Sequence, residues 1–332
     1  MIQITSDNFI TDNKTNKVFV SSLIDTVSGA LDIDVSERKQ LINLVKRFCE
    51  KTEILVNTKD VWTRDYMPIQ LTKNLYLGFT YKPDYLNQYP KYTTNWQLHN
   101  VHSQKESQLD IQVVQLPIIL DGGNVVKAIV NDKPCMIMCD KVLNENNVNE
   151  KDFRIWWDKW WKYNFDGTEM GLVLLPWEGE KDNPIGHSDG IVRFIKNNEV
   201  LLTNYIDYDV KYHSCYQKKY LAKLEEVGFK VKELTFLDKF DYSSDKLFRL
   251  RFEETWCYIN YLQVGNSILV PKLGYDKLNG SAVEQIKNAF GNNFNVELFE
   301  VDMTSIVKNI SLDNKDNNSG GALNCLTWTI QE

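Results

Sequence analysis

Residues 151–175 read KDFRIWWDKWWKYNFDGTEMGLVLL, and this stretch decides the fold class. Its first part, Lys151–Tyr163, repeats aromatic residues at helical spacing, with Trp156, Trp157, Trp160 and Trp161 paired four apart. That spacing predicts a helix whose tryptophans pack into a core. Gly171–Leu175 then gives a short apolar run of strand length. The same helix-then-strand pairing recurs on both sides. Ser36–Cys49 precedes Glu53–Val56, Ser214–Val227 precedes Lys230–Phe236, and Ser281–Phe290 precedes Asn295–Val301. Ile111–Leu116 is a further strand in step, behind a weak helical pattern. Five strands spaced about 60 residues apart predict an internally repeated architecture.

Between these pairs lie β segments rich in branched and aromatic residues: Leu75–Tyr81, Ile191–Ile195 with Val200–Tyr205, and Cys257–Tyr261 with Ser267–Val270. Each unit therefore reads as strands, helix, strand, which predicts an α/β fold with mixed sheets. Asn144–Glu150 and Ser311–Asn318 read as polar surface loops, and no linker divides the chain. One domain over residues 1–332 is the expectation.

Composition narrows the function. The chain has 332 residues, 43% of them hydrophobic and 25% charged, which is ordinary for a globular protein and excludes wholesale disorder. Lys and Arg number 38 against 45 Asp and Glu, for a net charge of −7. With no basic stripe to offset it, that balance disfavours nucleic acid and favours a small cationic partner. No apolar run is long enough to span a membrane, and the first residues show no secretory pattern. Six cysteines in a chain of this size form no disulfide framework. Cys135 and Cys139 read as buried small residues, and a reduced, cytoplasmic chain is expected.

The polar interest follows the recurring strands. Val61-Trp62-Thr63-Arg64-Asp65 comes after the first, Asp121-Gly122-Gly123-Asn124 after the second, and Gly186-His187-Ser188-Asp189-Gly190 after the third. After the fifth comes Ser319-Gly320-Gly321-Ala322-Leu323-Asn324-Cys325. Loops at one end of a repeated architecture converge on a shared pocket. The double glycine before Cys325 permits close approach of backbone to a ligand, and a thiol becomes a strong nucleophile once positive charge favours its thiolate. His187 is an acid–base group, and in an extended segment it shares a face with Asp189. Three aspartates in one pocket raise one another's pKa values unless a cation joins them. A planar guanidinium satisfies two carboxylates at once, and so would a divalent metal. HExxH, P-loop and strand-following GxGxxG patterns are missing, and two stray SxxK matches, Ser36–Lys39 and Ser243–Lys246, lack the other motifs of serine hydrolases.

Taken in order, these four segments, with Arg193-Phe194 behind the third, resemble the guanidine-modifying superfamily. Within it they are most similar to the agmatine deiminases together with the Porphyromonas-type bacterial peptidylarginine deiminases. Tyr258-Ile259-Asn260 through Asn266 and Pro271 resembles the family's strand pair before the last helix, and the likeness covers about residues 50–330. The resemblance implies a pseudo-fivefold α/β propeller of ββαβ units (the pentein fold), with Cys325 as nucleophile and His187 as general acid and base. It implies that Asp65 and Asp189 grip the guanidinium, with Trp62 and Asn124 beside the substrate. Asp121 stands where most relatives carry a glutamate that assists the histidine. The implied reaction is hydrolysis of agmatine to N-carbamoylputrescine and ammonia through a covalent thiouronium, without metal or organic cofactor. A homodimer is one assembly the resemblance allows. The Pro- and Trp-rich opening of agmatine deiminases is missing before about residue 30. Peptidylarginine deimination, amidino transfer to an amine, metal-dependent hydrolysis and silent guanidine binding are the alternative readings.

Overall fold

The stretch from Lys151 to Leu175 forms a helix and a strand in the computed structural model, which describes residues 2–24, 35–87, 111–179, 185–203, 210–235, 255–274, 276–308 and 321–332. The helix, Glu150–Asn164, begins where the Asn149 side chain accepts a hydrogen bond from the Asp152 amide, and Glu150 and Asp152 complement its N-terminal dipole. Phe153, Trp157 and Trp161 are buried, while Trp156 and Trp160 lie half-buried beside them. The Trp157 indole donates to the Met170 carbonyl at 2.8 Å, tying helix to strand entry. Truncating this ring to alanine costs about 3–5 kcal/mol by loss of packing.

The strands fall into five sheets of three. β1 (Lys17–Ser21) and β2 (Thr52–Leu55) run parallel across the helix Val35–Phe48. β3 (Ile69–Gln70) and β4 (Leu75–Thr80) are antiparallel, and β5 (Gln112–Ile119) joins β4 in parallel. β6 (Val126–Val130) and β7 (Lys133–Cys139) form a hairpin, with β8 (Gly171–Leu175) parallel to β7. β9 (Val192–Lys196) and β10 (Glu199–Thr203) form another, and β11 (Lys230–Leu234) follows the helix Val210–Val227 to lie parallel to β10. β12 (Leu262–Val264), β13 (Ser267–Lys272) and β14 (Asn295–Asp302) repeat the pattern around the helix Asp276–Phe290. The last strand, β15 (Thr327–Ile330), completes the first sheet by pairing antiparallel with β1, Val18 opposite Thr329. Each unit is thus two antiparallel strands and a third in parallel. Four of the five parallel returns run through a described helix, as short parallel connections require. Residues 88–110, where the weak helical pattern falls, lie outside the described residues, as does Ser311–Asn318.

Two expectations change. Cys257–Tyr261 is no strand: Thr255–Ile259 winds as a 3-10 helix and β12 starts at Leu262. Its aromatic and branched residues report burial rather than extension, for Cys257, Tyr258, Ile259 and Tyr261 are all fully buried. The ends of the chain also hold strands, β1 and β15, that the repeat reading left out. Trp328 of β15 stacks 5.0 Å from Phe19 of β1 and donates its indole N–H to the Pro68 carbonyl. This anchors the backbone three residues beyond Cys325. Cys135 and Cys139 are both buried on β7. Among the described residues no helix is long and apolar enough to cross a membrane.

Candidate active site

Four loops bring the acidic and nucleophilic residues together. After β2, Trp62 leads into one helical turn, Thr63–Tyr66, that carries Asp65. After β5, Asp121 precedes a 3-10 turn, Gly122–Asn124. After β8, His187 is extended (φ −95°, ψ 134°) and Asp189 sits in the 3-10 turn Ser188–Gly190. Just before β15 stands Cys325. His187 and Asp189 therefore do not share a face of one extended segment; the turn between them swings each toward a different partner.

The His187 Nε2 lies 2.9 Å from the Asp121 Oδ2, and its Nδ1 lies 3.6 Å from the Asp65 Oδ1. The same Asp65 oxygen accepts from the Gly123 amide at 3.2 Å. Only glycine fits there, because a Cβ on Gly123 would lie 2.5 Å from that oxygen and 2.6 Å from the His187 Nδ1. Asp189 accepts from the Asn324 side chain at 2.7 Å and from the Cys325 thiol at 3.6 Å. Gly321 is equally confined, since a Cβ would meet the Trp62 ring and the Cys325 Cβ. His187, Asp65, Asp121, Asp189 and Cys325 are all buried.

The family model described as Porphyromonas-type peptidyl-arginine deiminase matches residues 9–330. The chain belongs to this family. Its members are deiminases, hydrolases acting on the C–N bonds of linear amidines. Among solved structures it is similar to the agmatine deiminase of C. jejuni, at 16% identity and a TM-score of 0.67, covering 98% of this chain and 96% of that one. The agmatine deiminase of Enterococcus faecalis matches at 15% identity and 0.62, covering 99% and 98%. A dimethylarginine dimethylaminohydrolase matches at 11% identity and 0.50, covering 95% and 99%. The fold is thus the mixed α/β fold of small sheets that these pentein relatives share. Comparison with curated proteins returns no match.

In this family member the buried cluster is short of positive charge. Burial pushes the Asp65 carboxyl up to about 8, opposed by His187 and reinforced by Asp121 and Asp189. Burial alone would lower His187, but Asp65 and the hydrogen-bonded Asp121 outweigh it and hold the imidazole near about 9. His187 is therefore an imidazolium at neutral pH. Burial also pushes the Cys325 thiol well up, and the Asp189 and Asp65 charges add to that, while the Ala322 amide and the Asn260 side chain pull the other way. A thiol among carboxylates stays protonated until a cation arrives. The arrangement seats a cation between carboxylates, beside one nucleophile and one acid.

Trp62 is half-buried against Gly321, next to the thiol. Asn124 is occupied elsewhere: its side chain donates to the Cys139 carbonyl and accepts from the Cys139 amide, bracing its loop against the end of β7. Asp121 reaches the imidazole directly. Two residues at the site are not among the site residues expected from the sequence. Asn260 accepts from the amides of Ala322 and Cys325, both at 3.2 Å, and so shapes the nucleophile loop. Tyr85 donates its hydroxyl to the Asp121 Oδ2 at 3.1 Å. One signal could have found Asn260: four of the five recurring strands are followed by a reactive loop, and Asn260 follows the fourth.

Proposed function

We propose that this protein is a cysteine-dependent deiminase that hydrolyses the guanidinium of agmatine to N-carbamoylputrescine and ammonia. The observation that carries the reading is the convergence of Asp65, Asp121 and Asp189 on His187 and Cys325 in a buried cluster deficient in positive charge. A guanidinium supplies that charge, and its planar fork matches carboxylates on two sides. Its arrival lowers the thiol pKa, and Cys325 releases its proton to solvent. The thiolate attacks the guanidinium carbon. His187 donates its proton to the departing nitrogen, the C–N bond breaks, ammonia leaves, and a thiouronium remains on Cys325. Neutral His187 then takes a proton from water and hydroxide adds to the same carbon; the C–S bond breaks, the Cys325 thiolate leaves, and the added hydroxyl gives its proton to solvent to leave the ureido product. The relatives' agmatine activity supports that substrate, which would place the enzyme in polyamine biosynthesis.

A second reading, deimination of an arginine side chain in a peptide, is supported by the family's own description. The same proposal includes one domain whose five similar sheets close as a pseudo-fivefold propeller, a reading supported by the pairing of the two chain ends in one sheet. It also includes a cytoplasmic setting, supported by the free cysteines, and a homodimer. A colorimetric ureido assay with agmatine, free arginine and an arginyl peptide tests it, run beside Cys325→Ala. Turnover of one substrate, lost in the variant, identifies class and tail together. Silence on all three with intact binding of agmatine would sink the deiminase reading.

A further inference from the structure

A small, partly open cavity adjoins the catalytic cluster, and cations predominate among the charged groups of its wall. Its wall includes Arg64, Lys127 of β6, Arg193 of β9 and Asp12, with Asp189 and Asn324 at the side facing the nucleophile loop. Arg193, 2% exposed, is matched by Asp12 at 2.7 Å, donates to the Tyr261 carbonyl and stacks over the Tyr261 ring. Arg64 and Lys127 are not matched. Arg64 donates to the Asn324 carbonyl at 3.3 Å and the Thr329 hydroxyl at 3.2 Å. Lys127, 9% exposed, donates to the Gln70 carbonyl at 3.2 Å. Among the described residues neither has a carboxylate within ion-pair distance.

Neutral oxygens satisfy part of the donor capacity of these cations but none of their charge. An uncompensated buried charge costs several kcal/mol, which is why such groups are paired or neutralised in folded proteins. Lys127 is drawn down only to about 8, because burial is countered by Asp12, so it remains largely charged at neutral pH. Three cations against the two carboxylates Asp12 and Asp189 leave one positive charge over. An ammonium has three donors and a guanidinium five, so Lys127 and Arg64 keep N–H groups to spare. The space among them is about 20 Å³, room for roughly one water-sized body. A monatomic ion fits such a space and a phosphate does not. Water would meet the donors yet leave the charge.

We propose that this cavity is a binding site for a single halide ion, chloride under physiological conditions, held by Arg64, Lys127 and Arg193. The ion completes the charge balance behind the nucleophile loop, where the Arg64 side chain donates to the Asn324 carbonyl and its amide donates to the Cys325 carbonyl at 3.2 Å. The site is independent of which guanidine the enzyme takes.

The test uses the full chain at neutral pH and constant ionic strength, with gluconate replaced stepwise by chloride or bromide. The thermal midpoint should rise and saturate with either halide, by on the order of a few degrees at tenfold excess over the dissociation constant. In Lys127→Met that dependence should vanish. Crystals grown in bromide should show one anomalous peak between Arg64, Lys127 and Arg193. Equal midpoints in all three salts, a saturable response that survives in Lys127→Met, or wild-type crystals with no bromide in the cavity would each overturn the proposal. Should the variant fail to fold, the wild-type titration and the bromide map decide alone.

Discussion

Arg64 and Asp65 are neighbours in one helical turn, yet they serve two buried regions of opposite character. Asp65 joins Asp121 and Asp189 around His187 and Cys325, a region with too little positive charge. Arg64 joins Lys127 and Arg193, a region with too little negative charge. The two share the Asp189 and Asn324 loops. Each alone would be an expensive burial, and each is relieved by a small ion of the missing sign. The difference lies in duration. On the proposed mechanism the first deficit is filled and emptied at every turnover, which suits groups that change protonation. The second is built from two arginines and one lysine that stay charged, which suits a permanent occupant.

The largest effect should come from the first region. Cys325→Ala should lower kcat by at least about 10⁴-fold, because no other group can form the covalent intermediate. Agmatine affinity, measured by calorimetry, should stay within a few-fold, since the carboxylates make the seat. Loss of affinity together with activity would mean that the thiol is part of the cation site. His187→Gln should cost about 10²–10⁴-fold, the usual worth of a positioned acid. The wild-type rate should also fall as pH rises through about 9, where the imidazolium that on the proposed mechanism protonates the departing nitrogen is lost. That alkaline limb should be absent from the variant. A limb near 6.5 in the wild type would show that Asp65 and Asp121 do not hold the proton.

Asp65→Asn separates activity from stability. Removing one carboxylate from a buried guanidinium seat should weaken transition-state binding by about 2–5 kcal/mol, read as kcat/KM. The free enzyme should move the other way. Its Asp65 pKa is raised in the fold to about 8 from about 4, so the folded state holds a proton that the unfolded state releases. Stability from this group is complete below about 4 and erodes as pH climbs toward 8. Asn should remove that slope and raise the midpoint at pH 7.5, the usual exchange of function for stability at an active site. A lower midpoint would mean that the amide hydrogen bond of Gly123 to Asp65 outweighs the buried charge.

What could be read from the chain follows from how much each residue type says alone. An apolar run such as Gly171–Leu175 announces a strand because length and composition agree. His187, Cys325 and the glycine-flanked aspartates announce chemistry because few structural roles need those types together. Asn260 carries no such mark, since its work is to accept two backbone amides, and it lies within a buried apolar run that imitates a strand. The cation cavity was hidden for another reason. Asp12, Arg64, Lys127 and Arg193 come from four separate segments, and nothing in the local sequence of any one of them points to the others. Only the packing of β6 against β9, strands of two different sheets, brings these charges to one cavity. The strands β1 and β15 escaped because their pairing joins opposite ends of the sequence.

Tyr85→Phe should give the smallest effect and the finest test of the carboxylate side. The Tyr85 hydroxyl and the His187 imidazole both donate to the same oxygen, Asp121 Oδ2, while the Asp121 Oδ1 has no hydrogen-bond partner among the described residues. A neutral hydroxyl on that oxygen draws off part of the electron density that would otherwise hold the histidine proton. Deleting the hydroxyl removes one net hydrogen bond, worth about 0.5–1.5 kcal/mol, and leaves the imidazolium as sole donor to that oxygen. The alkaline limb should therefore shift upward by less than one pH unit, with kcat changed by less than about tenfold. A downward shift would mean that Tyr85 holds Asp121 in place for the histidine, and that position rather than charge governs the acid.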